Sequence, residues 1–568
     1  MNRNRLPAGV ETGGGRAKGF GIGEPLGEGR YAELFSGFSW EVPTAFNIAT
    51  ACVDSQPANS LALVDVRPDG SVQRYTFGDV VTLTNRLANA LAGLGVRSEH
   101  RVAIALPQRI ETALAYLALF KLEAIAVPLS PLLGEDAIRF RILDSDATAV
   151  VTTTQHVDRI ASITEPIGGI CVITTGPSTA PHRDFWDIIG AASARFKMPA
   201  TPAERPCLLI YTSGTTAAPK GALHAHRALL GHMPGFDLSH DFYPQVGDLF
   251  WTPADWAWIG GLMDALLPSL LHGTPIIAAE RDKFDPHWAV QFLAQHRVRN
   301  VFFPPTALKM MRHVNAETSA VQLRTIMCGG ESLGEEMLEW TRGKLGVTVN
   351  EIYGQTECNY VVGNCASAWD VRPGSMGRPY PGHNVRVLDA TDSQVPDGEI
   401  GEIAVGAPDP VMFLEYWKNP DATRDKFTQD GKWLLTGDLA ARDAEGYLWF
   451  QGRNDDVINS AGYRIGPAEV EGCLMRHPAV GMAAVIGVPD PIRGEAVKAF
   501  VQLVEGQQAT PALEDEIRQI VKDRLAAYLY PRYIEFVADL PLTTTGKIRR
   551  SVLRERERDG GSGAPART

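Results

Sequence analysis

The sequence is short of cysteine: seven in 568 residues, at 52, 171, 207, 328, 358, 365 and 473. Neither a disulfide framework nor the spacing of a zinc site can be drawn through them. Their scatter fits a reducing compartment, taken here as the cytoplasm. Basic charge is also in deficit. Lys and Arg number 54 against 66 Asp and Glu, a formal net charge of -12, which argues against a broad nucleic-acid surface but leaves room for a local cationic pocket. Long uninterrupted apolar runs are missing too. The stretches around 112–133 and 261–279 are broken by Lys121 and Glu123, and by Asp264, Pro268 and His272, so neither reads as a membrane span. The start MNRNRLPAGVETGGG carries basic residues without the apolar core of a signal peptide. Glycines at 19, 21, 23, 27 and 29 imitate a dinucleotide fingerprint, but no strand-like segment precedes them. Residues 1–30 are expected to form a flexible leader.

What is present is an ordinary globular composition, 45% apolar and 21% charged, in a chain longer than one core usually serves. Strand-like RVAIALP (101–107), AIAVPLS (124–130), TAVVTT (148–153) and GTPIIAA (273–279) alternate with helical stretches such as ETALAYLALFKL. That alternation predicts an α/β fold, a large multi-layer amino-terminal domain with mainly parallel sheets. NVRVLDA and the turn-rich DSQVPDGEIGEIAVG read as an antiparallel, barrel-like portion. After Glu469 a short helix, AAVIGVP, AFVQLV, a helix over 511–527 and RYIEFV predict a small α+β carboxyl-terminal domain. The expected division is 31–454 for the large domain and 455–568 for a mobile lid, with a hinge at its start.

The segment YTSGTTAAPKGA, Tyr211 to Ala222, directly follows the apolar Cys207, Leu208, Leu209 and Ile210. Thr212, Ser213, Thr215 and Thr216 offer short hydroxyl donors, Gly214 lets the backbone approach an anion, and Lys220 adds a charge-assisted contact. Successive amides in such a loop form an anion nest. The spacing departs from GxxxxGK[ST]. Such a loop suits phosphate, although read alone it is also compatible with a plain Ser/Thr-rich turn.

YTSGTTAAPKG, YGQTE at 353–357, TGD at 436–438, GRNDDVINSAGYRIGPAEVE at 452–471 and PLTTTGK at 541–547 follow one another along the chain. Together they resemble the acyl-CoA synthetases of the adenylate-forming superfamily. DDVINSAGYRIGPAEVE and HPAVGMAAVIGVPDPIRGEAVKAF resemble the medium-chain members in particular. The resemblance implies an AMP-forming acid–thiol ligase using ATP, Mg2+ and coenzyme A. A carboxylate would join the α-phosphate of ATP, expelling pyrophosphate, and the CoA thiol would then displace AMP from the acyl-adenylate. It places adenine near Gly329, Gly330, Glu331 and Ser332, with Tyr353 as an aromatic face. Thr356 would meet a phosphoryl oxygen, Glu357 would bind magnesium, Asp438 would accept from the ribose hydroxyls, and Arg453 would donate to ribose or phosphate. Lys547 matches the mobile catalytic lysine. Asp455 matches the hinge, Gly462 a glycine beside the pantetheine tunnel, and Arg464 a phosphate contact in one lid orientation. Ala217 departs from the glycine of many members; alanine disfavours a positive φ there and leaves the tightest turn to Gly214.

Trp258, Ile259 and Gly260 of DWAWIGG, with Gly354, resemble the acid pocket. Acetate-specific relatives carry tryptophan at the position of Gly354, so Gly354 and Gly260 are expected to leave space. The expected substrate is an acid larger than acetate: medium-chain fatty acids first, branched or aromatic acids next. Trp256, Trp258 or Met263 refilling that space would restore a short-chain preference. Loading of a carrier-protein thiol is an alternative second step, and a non-catalytic nucleotide-binding scaffold a different class, against which Lys547, Glu357, Asp438 and Arg453 speak. The chemistry needs no protein thiol, so Cys328 and Cys358 read as structural. His224, His226 and His232 lack a convincing ligand set and read as helical-surface or core-edge residues rather than a metal site. No nucleic-acid partner is expected, and the oligomeric state is left open.

Overall fold

The structure, a computed structural model, describes residues 28–177, 181–212, 219–281, 283–314, 316–330, 333–454, 456, 458–460, 463–490, 494–525, 529–543 and 547–560. The predicted apolar runs become adjacent strands: Arg101–Ala105 lies between Ile125–Pro128 and Ala147–Thr152, all parallel, and Cys171–Thr174 extends the series. They belong to an eight-stranded sheet that also holds Pro206–Thr212 and Lys220–Ala225. A nine-stranded sheet contains Ile276–Ala279, Asn300–Phe303, Thr325–Gly329 and Val349–Gln355, the last three again parallel neighbours. Both faces of such strands are covered, which is why they read as continuous rather than alternating hydrophobic segments.

The helix Ile110–Lys121 is buried at all its positions, as expected of a helix that is apolar on every side. Charges that interrupt the apolar stretches are interior and partnered. Lys121 has its ammonium 2.7 Å from both Asp54 Oδ1 and Asn85 Oδ1. Asp264 accepts from Asn359 Nδ2 at 2.7 and 2.9 Å. An unpaired ammonium at 121 would be strongly unfavourable, while burial pushes the Asp264 carboxyl well above its ordinary pKa. Among the described residues no helix is long and apolar enough to cross a membrane.

The antiparallel portion is a four-stranded sheet of Val385–Leu388, Ile400–Gly406, Trp433–Arg442 and Leu448–Arg453, in that order. Beyond it Ile458–Ser460, Tyr463–Ile465, Val480–Asp490, Gly494–Leu503 and Tyr533–Phe536 form a smaller, mostly antiparallel sheet. It packs with the helices Pro467–Leu474 and Pro511–Arg524, the latter ending short of the expected 527. Of the expected leader, Glu28 to Arg30 instead begin the helix Glu28–Ser36. Tyr31 on it donates to Pro379 O at 2.9 Å and stacks under Arg378; the leader before residue 28 lies outside the described residues.

The three histidines depart from expectation. His224 is on a strand, only His232 is helical, and His224, His226 and His232 are all buried. Burial pushes their pKa values down to about 3, 3 and 4, so the folded protein keeps them neutral. In the unfolded chain they take up protons near their ordinary value of 6.5. Stability is therefore expected to fall as pH drops from 6.5 towards about 4, by up to ~1.4 kcal/mol per pH unit for each histidine. Urea midpoints measured at about pH 7.5 and about pH 5.5 check this; an unchanged midpoint refutes it.

Candidate active site

The segment expected to bind phosphate is flanked by two antiparallel strands in which Thr212 pairs with Lys220. Thr212 Oγ1 also donates to Lys220 O at 3.3 Å, so the two ends of the loop are held together. Ser213, Gly214, Thr215, Thr216 and Ala217 lie outside the described residues. Tyr211 anchors the incoming strand by donating to Asp144 Oδ2 at 2.6 Å. The Lys220 ammonium sits 5.2 Å from the ring centre of Tyr416, whose short strand Glu415–Tyr416 pairs with the strand of Lys220. The Tyr416 hydroxyl in turn donates to Glu357.

Glu357 is buried at the turn of a second hairpin. Gln355 of Val349–Gln355 pairs with Cys358 of Cys358–Gly363, leaving Thr356 and Glu357 as the two turn residues. The Glu357 carbonyl accepts from Phe413 N at 2.8 Å. Burial, and next the adjacent Glu357 carboxylate, raise the Tyr416 phenol well above its ordinary pKa; it keeps its proton and acts as donor. A hard carboxylate oxygen so fixed, linked to Lys220 through Tyr416, fits Mg2+, which takes one or two carboxylates and completes its shell with phosphate oxygens and water. Tyr416 carried no motif signal, being 59 residues from Glu357.

Asp438 collects the next group. Tyr353 donates its hydroxyl to Asp438 Oδ2 at 2.7 Å, Gln355 Nε2 donates to the same oxygen, and Arg453 Nη1 lies 3.3 Å from Oδ1. Asp438 and Arg453 are register partners on neighbouring strands. Gly437 between Thr436 and Asp438 has φ +77°, and a Cβ there would stand 3.2 Å from the Arg453 guanidinium, so glycine meets both the backbone and the space requirement. Lys426, another residue without a motif, donates to Gln355 Oε1 at 3.3 Å and to the carbonyls of Leu435 and Thr436 at 3.0 and 3.1 Å. Tyr353, expected only as a flat face, is also a hydrogen-bonding member of this group.

Gly329 pairs with Ile352, directly before Tyr353. Gly330 has φ +106°, and its missing Cβ would lie 3.6 Å from Lys547 Cε. The exposed lysine of the carboxyl-terminal segment thus rests beside the strand end that leads to Glu331 and Ser332, both outside the described residues. Thr543 N donates to Lys547 O at 2.7 Å and Lys547 N to Thr543 Oγ1 at 3.0 Å. Glu351, which sequence reasoning passed over, accepts from Leu333 N at 2.8 Å. Burial lifts its carboxyl to about 7. Arg464 stands opposite Asn459 in a strand pair, while Asp455 and Gly462 fall outside the described residues.

The acid-pocket positions need correction. Trp258, Ile259 and Gly260 are half-buried at the start of a helical stretch. A Cβ on Gly260 would meet Phe302 ring atoms at 2.7 and 3.1 Å, so the phenyl ring takes the room that the glycine was expected to leave. A Cβ on Gly354 would stand 2.4 Å from Tyr360 N and 2.7 Å from Asn359 Cα. Glycine at 354 is demanded by the close approach of the neighbouring strand. Gly354→Trp is therefore expected to lower Tm by several degrees and to reduce turnover of short and long acids alike, since a side chain there costs at least about 1–3 kcal/mol of overpacking. Thermal melts combined with an acid panel check this, and a stable variant with selective loss of long acids would restore the simpler pocket reading.

Comparison with known proteins gives a consistent result. The family model for AMP-binding enzymes matches residues 50–417, and that for the AMP-binding enzyme C-terminal domain matches 469–547. The chain is 34% identical over 553 residues to an acetyl-coenzyme A synthetase of Bacillus subtilis, covering 92% of this chain and 94% of that protein. It is 34% identical over 535 residues to the mitochondrial acyl-coenzyme A synthetase ACSM2B of Homo sapiens, covering 91% and 92%. Among solved structures, the anthranilate CoA ligase AuaEII in complex with anthranoyl-AMP superposes with a TM-score of 0.83 at 30% identity, covering 92% of this chain and 99% of that one.

Proposed function

The chain belongs to the AMP-binding enzyme family, and from that premise we propose that it activates a carboxylic acid larger than acetate, with medium-chain fatty acids first, and transfers it to coenzyme A; the acid size rests on the medium-chain-like motifs and on the similarity to the ACSM acyl-coenzyme A synthetases, not on space at Gly354 or Gly260. The reaction class is that of an ATP-dependent, AMP-forming acid–thiol ligase working with ATP, Mg2+ and CoA. The observation that carries the residue assignment is the convergence of Lys547 on Gly330, beside the linked groups around Asp438 and Glu357.

In the first step the acid's carboxylate attacks the α-phosphorus, and the bond to the pyrophosphate oxygen breaks. Two anions must be brought together, so cationic donors offset their repulsion and the charge that grows on the leaving oxygens. Lys220 and Thr212 hold the phosphate end, Asp438 and Arg453 fix the ribose, and Lys547 supplies a positive charge at the reacting end. Glu357, steadied by Tyr416, would hold Mg2+, which screens the phosphate charge when bound. In the second step the CoA thiolate attacks the acyl carbonyl and AMP leaves, with Gly462 passing the pantetheine arm and Asp455 serving as hinge between 31–454 and 455–568.

A second reading of the acid is favoured by the Phe302 ring across Gly260: an aromatic acid, as in the anthranilate ligase, which would stack on that ring. ATP- and CoA-dependent AMP release, measured over straight acids of about two to twelve carbons and benzoate, decides between the readings. A methylene is worth roughly 10- to 200-fold in selectivity, so a preference for octanoate supports the first reading, one for benzoate the second, and one for acetate defeats both. Pantetheine and candidate carrier proteins as alternative thiols test the acceptor, and absence of pyrophosphate release with every acid would revive the scaffold reading. The seven free cysteines support a cytoplasmic setting, which cell fractionation tests.

A further inference from the structure

Three residues beyond Lys547 begins the helix Arg550–Gly560. Two arginines one turn apart on it reach the same carboxylate: Arg550 Nη1 lies 3.3 Å from Asp456 Oδ2, and Arg554 Nη2 lies 2.5 Å from Asp456 Oδ1. Asp456 is 5% exposed and directly follows Asp455, the residue proposed as hinge. Arg550 also forms a two-point contact with Glu471, at 3.1 and 2.6 Å, and Glu471 Oε1 accepts from Val485 N at 2.7 Å. Leu553, between the arginines, is buried against Ala484, Ile486 and Phe500. On its other side Asp456 N donates to Arg453 O at 3.0 Å, and Arg453 is the partner of Asp438 in the nucleotide group.

We propose that Asp456 is a positioning residue for adenylation: by holding Arg550 and Arg554 it joins the segment after the hinge to the helix that carries the Lys547 loop. A rotation begun at the hinge is then delivered undiminished to the Lys547 ammonium. Two guanidinium groups, one on each oxygen of a buried carboxylate, fix direction as well as distance, and a displacement of about 1 Å in a reacting group is enough to cost on the order of a hundredfold in rate. The Lys547 backbone is itself bonded to Thr543 through both its carbonyl and its N–H. The inference rests on the assignment of Lys547 above and adds the residue that places it.

The test uses the full-length enzyme with a substrate acid identified in the panel. Asp456→Asn keeps the shape and removes the charge; Arg554→Gln removes one of its two partners. Acid-dependent exchange of pyrophosphate into ATP reads adenylation, and thioester formation from supplied acyl-adenylate and CoA reads the second step. Each single variant is expected to lower kcat for exchange roughly 10- to 100-fold with KM for ATP unchanged, and to leave the second step within about twofold. The double variant should lose no more than the worse single one, because both act through one contact. Asp456→Glu, which keeps the charge, should recover a large part of the loss. Equal loss in both half-reactions, tracking a lower folded fraction by thermal melt, would show a merely structural role and overturn the proposal. So would full exchange activity in a folded Asp456→Asn or, should that variant not fold, in a folded Arg554→Gln. If instead Lys547→Ala leaves exchange intact, the assignment of the lysine fails, an outcome distinct from failure of its positioning.

Discussion

Lys547→Ala is expected to lower the adenylation half-reaction by on the order of 10²- to 10³-fold, the loss typical of one preorganised charge-stabilising donor, while thioester formation from supplied acyl-adenylate stays within about threefold. The asymmetry follows from position and chemistry together. The Lys547 side chain lies against Gly330, with Cε 3.6 Å from where a Cβ on that glycine would stand, next to the strand end that leads to the proposed nucleotide site, where negative charge would build up as pyrophosphate departs. In the thiol step the leaving group is AMP and no triphosphate remains to be neutralised. Pyrophosphate exchange and single-turnover thiolation on one enzyme preparation separate the two. Lys547 is exposed and its side chain makes none of the hydrogen bonds or ion pairs found among the described residues, so Tm should be unchanged. Equal loss in both steps would remove the assigned role.

The second large effect is expected at Asp438. Its carboxylate is the common acceptor for Tyr353, Gln355 and Arg453. Asp438→Ala removes the proposed ribose acceptor and takes from Tyr353, Gln355 and Arg453 the carboxylate they share. Charge-assisted hydrogen bonds are each worth about 1.5–3 kcal/mol, so KM for ATP should rise roughly 100-fold, with KM for the acid little altered. Because the shared acceptor is lost, Tm should also drop, and Asp438→Asn, which keeps one acceptor oxygen, should fall between wild type and Asp438→Ala. Steady-state kinetics with ATP and acid varied in turn give the answer: a variant that keeps the ATP KM while losing acid affinity would place the ribose elsewhere.

The legible part of this protein was what local chemistry expresses along the chain. Continuous apolar segments at 101–107, 124–130 and 148–153 announced strands covered on both faces, because only a sheet between helix layers tolerates such runs. The hairpin strands that flank the Ser/Thr-rich segment were equally plain, the apolar run up to Ile210 becoming the strand Pro206–Thr212. The residues that organise the site from outside the motifs were not legible. Tyr416 reaches Glu357, Lys426 braces Gln355 and Phe302 covers Gly260, and each stands in a segment whose sequence carries no periodic or compositional signal of that contact. Gly354 was misread for a related reason: an absent side chain shows that something must come close, but not whether it is substrate or the chain's own backbone. The interior histidines were misread because burial of a polar ring depends on which strands and helices cover it.

The sequence by itself determined the layered α/β architecture, because buried strands and helices write their apolar pattern locally, and through its resemblance to the acyl-CoA synthetases the reaction class, which the family match bears out. Only the tertiary structure decided which of those side chains share a partner. It made Asp438 the meeting point of Tyr353, Gln355 and Arg453, set Lys547 against Gly330, tied Asp456 to Arg550 and Arg554, and turned Gly354 from open space into a packing contact. Such contacts join positions tens to hundreds of residues apart, and they follow from how sheets stack and side chains fill space.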